Sequence, residues 1–85
     1  MPNTIHFNLR NDQSTDVNVS VWDDRTNRLV LDTVPLNQDE SVGVDVIADS
    51  SGRGASHWVF ASSDGSVNSN KVQTDIRDGD ECTLG

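Results

Sequence analysis

The apolar residues of this chain recur at every second position. Ile5, Phe7 and Leu9 alternate with His6, Asn8 and Arg10, and Val17, Val19 and Val21 alternate with Asn18, Ser20 and Trp22. Val42, Val44 and Val46 repeat the pattern, as do Val72, Thr74 and Ile76, and then Cys82 and Leu84. A period of two marks a half-buried strand, because successive side chains leave opposite faces of a pleated backbone. Valine leads the apolar set, and its branched Cβ suits a sheet better than a helix. No stretch carries an apolar stripe of helical period.

Turn-forming residues punctuate these runs: Asn11 to Ser14, Asp23 to Asn27, Pro35 to Asp39, Ser50 to Gly54, Asp64-Gly65 and Asp78-Gly79. The spacing predicts strands near 4–10, 16–22, 28–34, 41–47, 56–62, 68–76 and 81–84. The expected fold is all-β: one domain over residues 1–85, a small antiparallel β-sandwich of about seven short strands. An immunoglobulin-like arrangement and a small barrel are the variants. The Cys…Trp…Cys pattern of immunoglobulin domains is absent, so only the architecture is expected.

Face parity sharpens this picture. Directly opposed residues of an antiparallel pair share a face. Pairing Val21 with Leu29 and Val19 with Leu31 keeps apolar faces together. It needs an odd loop centred on Arg25, and it sets Trp22 opposite Arg28 on the outer face. A two-residue Asp78-Gly79 turn would mix core and solvent faces, so an odd loop or a crossover between sheets is expected there. Between Ser56 and Ser63 both faces are apolar, and the larger Trp58 and Phe60 should take the core. The expected core is Ile5, Phe7, Leu9, Val17, Val19, Val21, Leu29, Leu31, Leu36, Val42, Val44, Val46, Trp58, Phe60, Val72, Ile76 and Leu84.

Hydrophobic residues make up 33% of the 85, which implies a thin core and leaves either a monomer or a weak homodimer as the expected state. Cys82 is the only cysteine, so no disulfide can form within one chain. A lone cysteine favours a reducing compartment, and the N-terminal residues lack the basic and apolar regions of a secretion signal. A cytoplasmic location is therefore the default expectation, with export by another route left open. Fourteen acidic residues against six basic ones give a formal net charge of −8. That charge argues against nucleic acid and anionic membranes as partners. It suits a basic protein partner, a neutral glycan or cations, and otherwise serves solubility.

Candidate chemistry is sparse. No Gly-x-Ser-x-Gly elbow occurs, and the only histidines, His6 and His57, are both expected to face solvent. Cys82 should point inward as a small hydrophobe. No cofactor is expected, and no His/Cys spacing suits a transition metal. Calcium is the better metal candidate. Asp75, Asp78, Asp80 and Glu81 lie close together around Gly79, and calcium takes several carboxylate oxygens. The competing reading is an acidic hairpin end that opposes self-association. Asp23, Asp24 and Asp49 form a weaker second group.

Trp22 carries the most information, because the inward faces of Val19 and Val21 force it outward. An outward indole can stack on Arg28 across the hairpin, anchor a protein partner, or pack against a sugar beside Asn18, Asn27, Arg28 or Asp32. Arg53, between Gly52 and Gly54, reads as an arginine-tipped contact loop or a plain solvent loop. The sequence thus favours a non-enzymatic module that binds a protein partner through Trp22, Arg28, Asn18 or Arg53. A lectin-like carbohydrate-binding module, with or without calcium, is the alternative, and a hydrolase using a carboxylate pair comes third.

Overall fold

The computed structural model describes residues 3–85. Seven strands follow in order: β1 (Asn3–Arg10), β2 (Val17–Asp23), β3 (Arg28–Leu36), β4 (Ser41–Ala48), β5 (Gly54–Ala61), β6 (Asn68–Ile76) and β7 (Glu81–Thr83). They form two packed sheets, one ordered β4-β1-β7 and the other β3-β2-β5-β6. Neither sheet closes on itself, so the sandwich rather than the barrel is the architecture. All pairs are antiparallel except β1 and β7, which run parallel.

The alternation seen in the sequence sets the inner faces. Ile5, Phe7 and Leu9 of β1 and Val17, Val19 and Val21 of β2, on opposite sheets, are all buried in one hydrophobic core. Trp58 is fully buried and Phe60 nearly so, while Val59 between them is 40% exposed. The larger rings thus win the core. Phe7 and Trp58 lie 6.3 Å apart between ring centroids. The Trp58 indole N–H donates to the Leu84 carbonyl at 3.0 Å, which fastens the segment after β7 over the core. Gly54 is required where β5 packs against side chains of the opposite sheet. A Cβ there would lie 2.8 Å from both Ile5 Cδ1 and Val46 Cγ2.

The β2–β3 hairpin departs from the expected register. Val21 faces Leu31, not Leu29; Trp22 faces Leu29, not Arg28; and Val19 faces Val34, not Leu31. The loop is closed by the pair Asp23 and Arg28 and is not an odd loop on Arg25. That even, four-residue loop sets Leu29 opposite Trp22, and two irregularities follow further along the pair, each with an extra residue on β3. A β-bulge of this kind shifts side-chain parity. Thr33 takes a φ of +52° beside them. Leu29, opposite the outward Trp22 on the loop side of both bulges, is turned out of the core at 41% exposure, while the bulges bring Leu31 back to the inner face opposite Val21.

Val72 also leaves the expected core. It opposes His57 on the outer face and is 68% exposed, while Lys71, opposite Trp58, takes the inward position. Leu31 and Val42 are only half-buried. At Asp78-Gly79 the crossover reading holds: β6 and β7 belong to different sheets. Gly79 adopts a φ of +87°, and its N–H donates to the His6 carbonyl at 2.7 Å.

Two buried polar side chains tie the connections together: Asn11, expected only as a turn residue, and Asp23, expected in a turn and in the weaker acidic group. Asn11 is fully buried; its amide donates to the carbonyls of Thr15 and Leu36, both at 3.0 Å, and its oxygen accepts Gln13 N–H. Asp23 is 2% exposed. One of its oxygens accepts Arg25 N–H at 3.0 Å and the other accepts Ile47 N–H at 2.9 Å, joining the hairpin to β4 of the opposite sheet.

Candidate functional site

The two outer surfaces of the sandwich differ in chemistry. Along β1 and β4 the outward positions are Thr4, His6, Asn8 and Arg10 against Ile47, Asp45, Gly43 and Ser41, a mostly polar surface. The four-stranded sheet presents the opposite character. Leu29, Val59 and Val72, the three exposed large hydrophobics among the described residues, all lie on its outer face.

Register aligns them into a row. Leu29 of β3 faces Trp22 of β2, Trp22 faces His57 of β5, and His57 faces Val72 of β6. The row therefore crosses all four strands. One residue pair further along, Ser20 faces Val59 and Val59 faces Asn70; beyond that, Asn18 faces Ala61 and Ala61 faces Asn68. None of these outward positions holds a charged residue, in a chain where 24% of residues are charged.

Trp22 is half-buried and points outward, as its neighbours require. Its partner is not Arg28. The His57 ring stacks on the indole, with centroids 4.9 Å apart and planes 2° from parallel. That separation matches the spacing of adjacent strands, so the rings stand side by side as their strands do. His57 Nδ1 and Asp24 Oδ1 form a hydrogen bond at 2.5 Å, which fixes the ring plane. Sequence reasoning placed His57 in solvent but did not pair it with Trp22. The strand order that sets β5 beside β2 lies outside local alternation.

Beside the row lies an open groove of about 290 Å³, lined by Asn18, Ser20, Thr33, Val59, Phe60, Ala61, Ser62 and Asn68. Asn18 is thus brought into the same face as Trp22. The groove has an apolar floor and neutral amide and hydroxyl walls, and no carboxylate lines it. Ser20 Oγ accepts Thr33 N–H at 2.9 Å, so part of that wall is already bonded internally.

The remaining sequence candidates lie elsewhere. Arg28 pairs with Asp23, whose side chain points inward, and it lines a crevice of about 260 Å³ with Thr4, Val30, Asp45 and Ile47. Both carboxylates of that crevice are engaged: Asp23 with backbone amides, and Asp45 with His6 Nδ1 at 2.8 Å. Arg53 folds onto its own loop. Its amide donates to Asp49 Oδ1 at 3.0 Å, and its guanidinium approaches the Ser51 carbonyl at 3.4 Å. That amide and the Ser51 hydroxyl hold the Asp49 carboxyl below the usual range.

Asp75, Asp78, Asp80 and Glu81 are not gathered into a cluster. Asp78 accepts His6 N–H and Asp80 accepts Arg77 N–H, both at 2.9 Å. Asp75, with a φ of +56°, sits at the irregularity that ends the regular part of β6. Among the described residues no group of three or more His, Cys, Asp or Glu side chains is arranged to hold a metal ion. Asp23, Asp24 and Asp49 likewise serve separate bonds.

Comparison with family models, with curated proteins and with solved structures returned no match to this chain.

Proposed function

We propose that this chain is a non-catalytic binding module that docks a protein partner on the outer face of β3-β2-β5-β6. The observation that carries this reading is the aligned row Leu29, Trp22, His57 and Val72, with Val59 beside it, at paired outward positions that hold no Asp, Glu, Lys or Arg. A monomer seldom leaves its large apolar residues gathered on one surface unless that surface meets something. Interface centres are depleted in charge and enriched in aromatic residues, as this row is.

The charge distribution indicates the kind of partner. The chain carries a net charge of −8. Asp24 and Asp32 border the row, and none of the six basic residues lies on this face. An apolar surface with a basic rim is its complement.

A neutral glycan is the second reading, favoured by the amide and hydroxyl groups of Asn18, Ser20, Thr33 and Asn68 around the groove. Sugar stacking needs a free aromatic face, however, and His57 covers one face of the Trp22 indole.

The test is site-specific photo-crosslinking. A photoreactive residue at position 59 reports on the proposed face, and one at position 8 reports on the opposite sheet. The expected result is a protein adduct from position 59 only, competed by unlabelled wild type but not by a Leu29→Lys, Val72→Lys chain. Equal adducts from both positions, or adducts that the double variant competes as well as wild type, would remove the reading. Glycan binding that depends on Asn18 and Asn68, with no protein adduct at position 59, would replace it with the second.

A further inference from the structure

We infer that the outer edge of β6 receives an extended, cationic segment of the partner as a fifth strand of the β3-β2-β5-β6 sheet. The inference rests on the reading of that sheet's outer face as a protein-docking surface, and it names how the partner engages the face.

Sheet edges expose unpaired N–H and C=O groups, and folds normally protect them with bulges, proline, charge or brevity. Three of the four edges here are protected. β3 carries two irregularities, the positive φ of Thr33 and, at Pro35, a residue with no N–H. β7 is three residues long. On β4 the Ile47 N–H is already taken by the Asp23 carboxylate.

β6 has none of these devices over its regular part. From Asn68 to Gln73 it pairs with β5 without interruption. Asn68 to Thr74 contains no proline, no glycine and no acidic residue. Its one charge is withdrawn from the edge: Lys71 faces into the sandwich, and its ammonium donates to the carbonyls of Gly85 at 3.0 Å and Thr83 at 3.4 Å. Val72, on the same strand, is the most exposed of the three large apolar residues. A strand added here would lay an apolar side chain beside Val72 and extend the row by one position.

Charge selects the occupant. Asp64, in the turn before β6, and Asp75, at its far end, bracket the edge, and both are exposed. A lysine- or arginine-bearing strand meets opposite charge at either end. A second copy of this chain would bring another net charge of −8 to the same place.

The test uses the full chain and a short synthetic peptide alternating lysine and valine, read by the amide spectrum of residues 68–74. The expected result is binding that shifts and protects these amides and is absent for the glutamate–valine counterpart. N-methylation of one alternate set of peptide amides should weaken binding about tenfold or more, and methylation of the other set should leave it intact, because only one peptide edge pairs with β6. Equal binding by both methylated peptides, or shifts confined to Trp22 and His57, would overturn the inference while leaving the face reading standing. So would a concentration-dependent dimer of the chain alone that protects the same amides. Peptide pairing on β6 without crosslinking from position 59 would support the edge and sink the face.

Discussion

Trp22 and His57 stand in contact across β2 and β5, their planes 2° from parallel, with Asp24 holding the imidazole from the end of β2. An aromatic pair of this kind stabilises by about 0.5–1.5 kcal/mol beyond its buried area. His57→Ala should lower unfolding free energy by about 1 kcal/mol, read as a shift in urea midpoint without a change in slope. The same variant frees an indole face, so acrylamide should quench Trp22 fluorescence more strongly. His57→Phe should recover most of the stability. Unaltered quenching in the alanine variant would show that the stack does not shield the indole.

Asp23 bonds two backbone amides from inside the sandwich, and one of them belongs to the opposite sheet. Asp23→Ala leaves the Ile47 N–H without its acceptor, at a cost of about 2–3 kcal/mol. Hydrogen exchange at Ile47 should accelerate more than at Val44, whose place on β4 does not depend on this carboxylate. Uniform acceleration along β4 would indicate a global loss rather than a lost tie.

Asp64 is exposed, yet its carboxyl is held down to about 2 by the Ser62 hydroxyl and by the amide and hydroxyl of Ser66. The folded value lies below the unfolded value of 3.8. Its contribution is therefore fully present above the unfolded value and is lost as pH falls through the folded one. Thermal melts of wild type should lose stability across that acidic window. Asp64→Asn should show a shallower fall there and little difference between variants at the acid end. Identical acid profiles would show that the β5–β6 turn does not depend on this charge.

Cys82 is half-buried, and burial, with Asp80 nearby, pushes its thiol above the ordinary value, against an opposing influence from Lys71. A raised thiol is little ionised near neutrality and reacts slowly. Native protein at neutral pH should react with a disulfide reagent well below the rate of the urea-unfolded chain. Equal rates would place the sulfur in solvent.

Alternation of apolar and polar residues decided the strands, and the strands decided most of the core. Ile5, Phe7, Leu9, Val17, Val19, Val21, Trp58 and Phe60 are buried where local parity places them, because a pleated backbone fixes the side of each residue relative to its neighbours. The outward direction of Trp22 follows from the same local rule. Local parity could not fix what each strand faces. The four-residue loop closed by Asp23 and Arg28 set Leu29, rather than Arg28, beside Trp22 and so turned it outward, and the bulges on β3 then returned Leu31 and Val34 to the inner face. The order β3-β2-β5-β6 brought His57 to the indole and Val72 to the end of the row. Strand order and register arise from packing between distant segments, where one extra residue changes the face of everything beyond it.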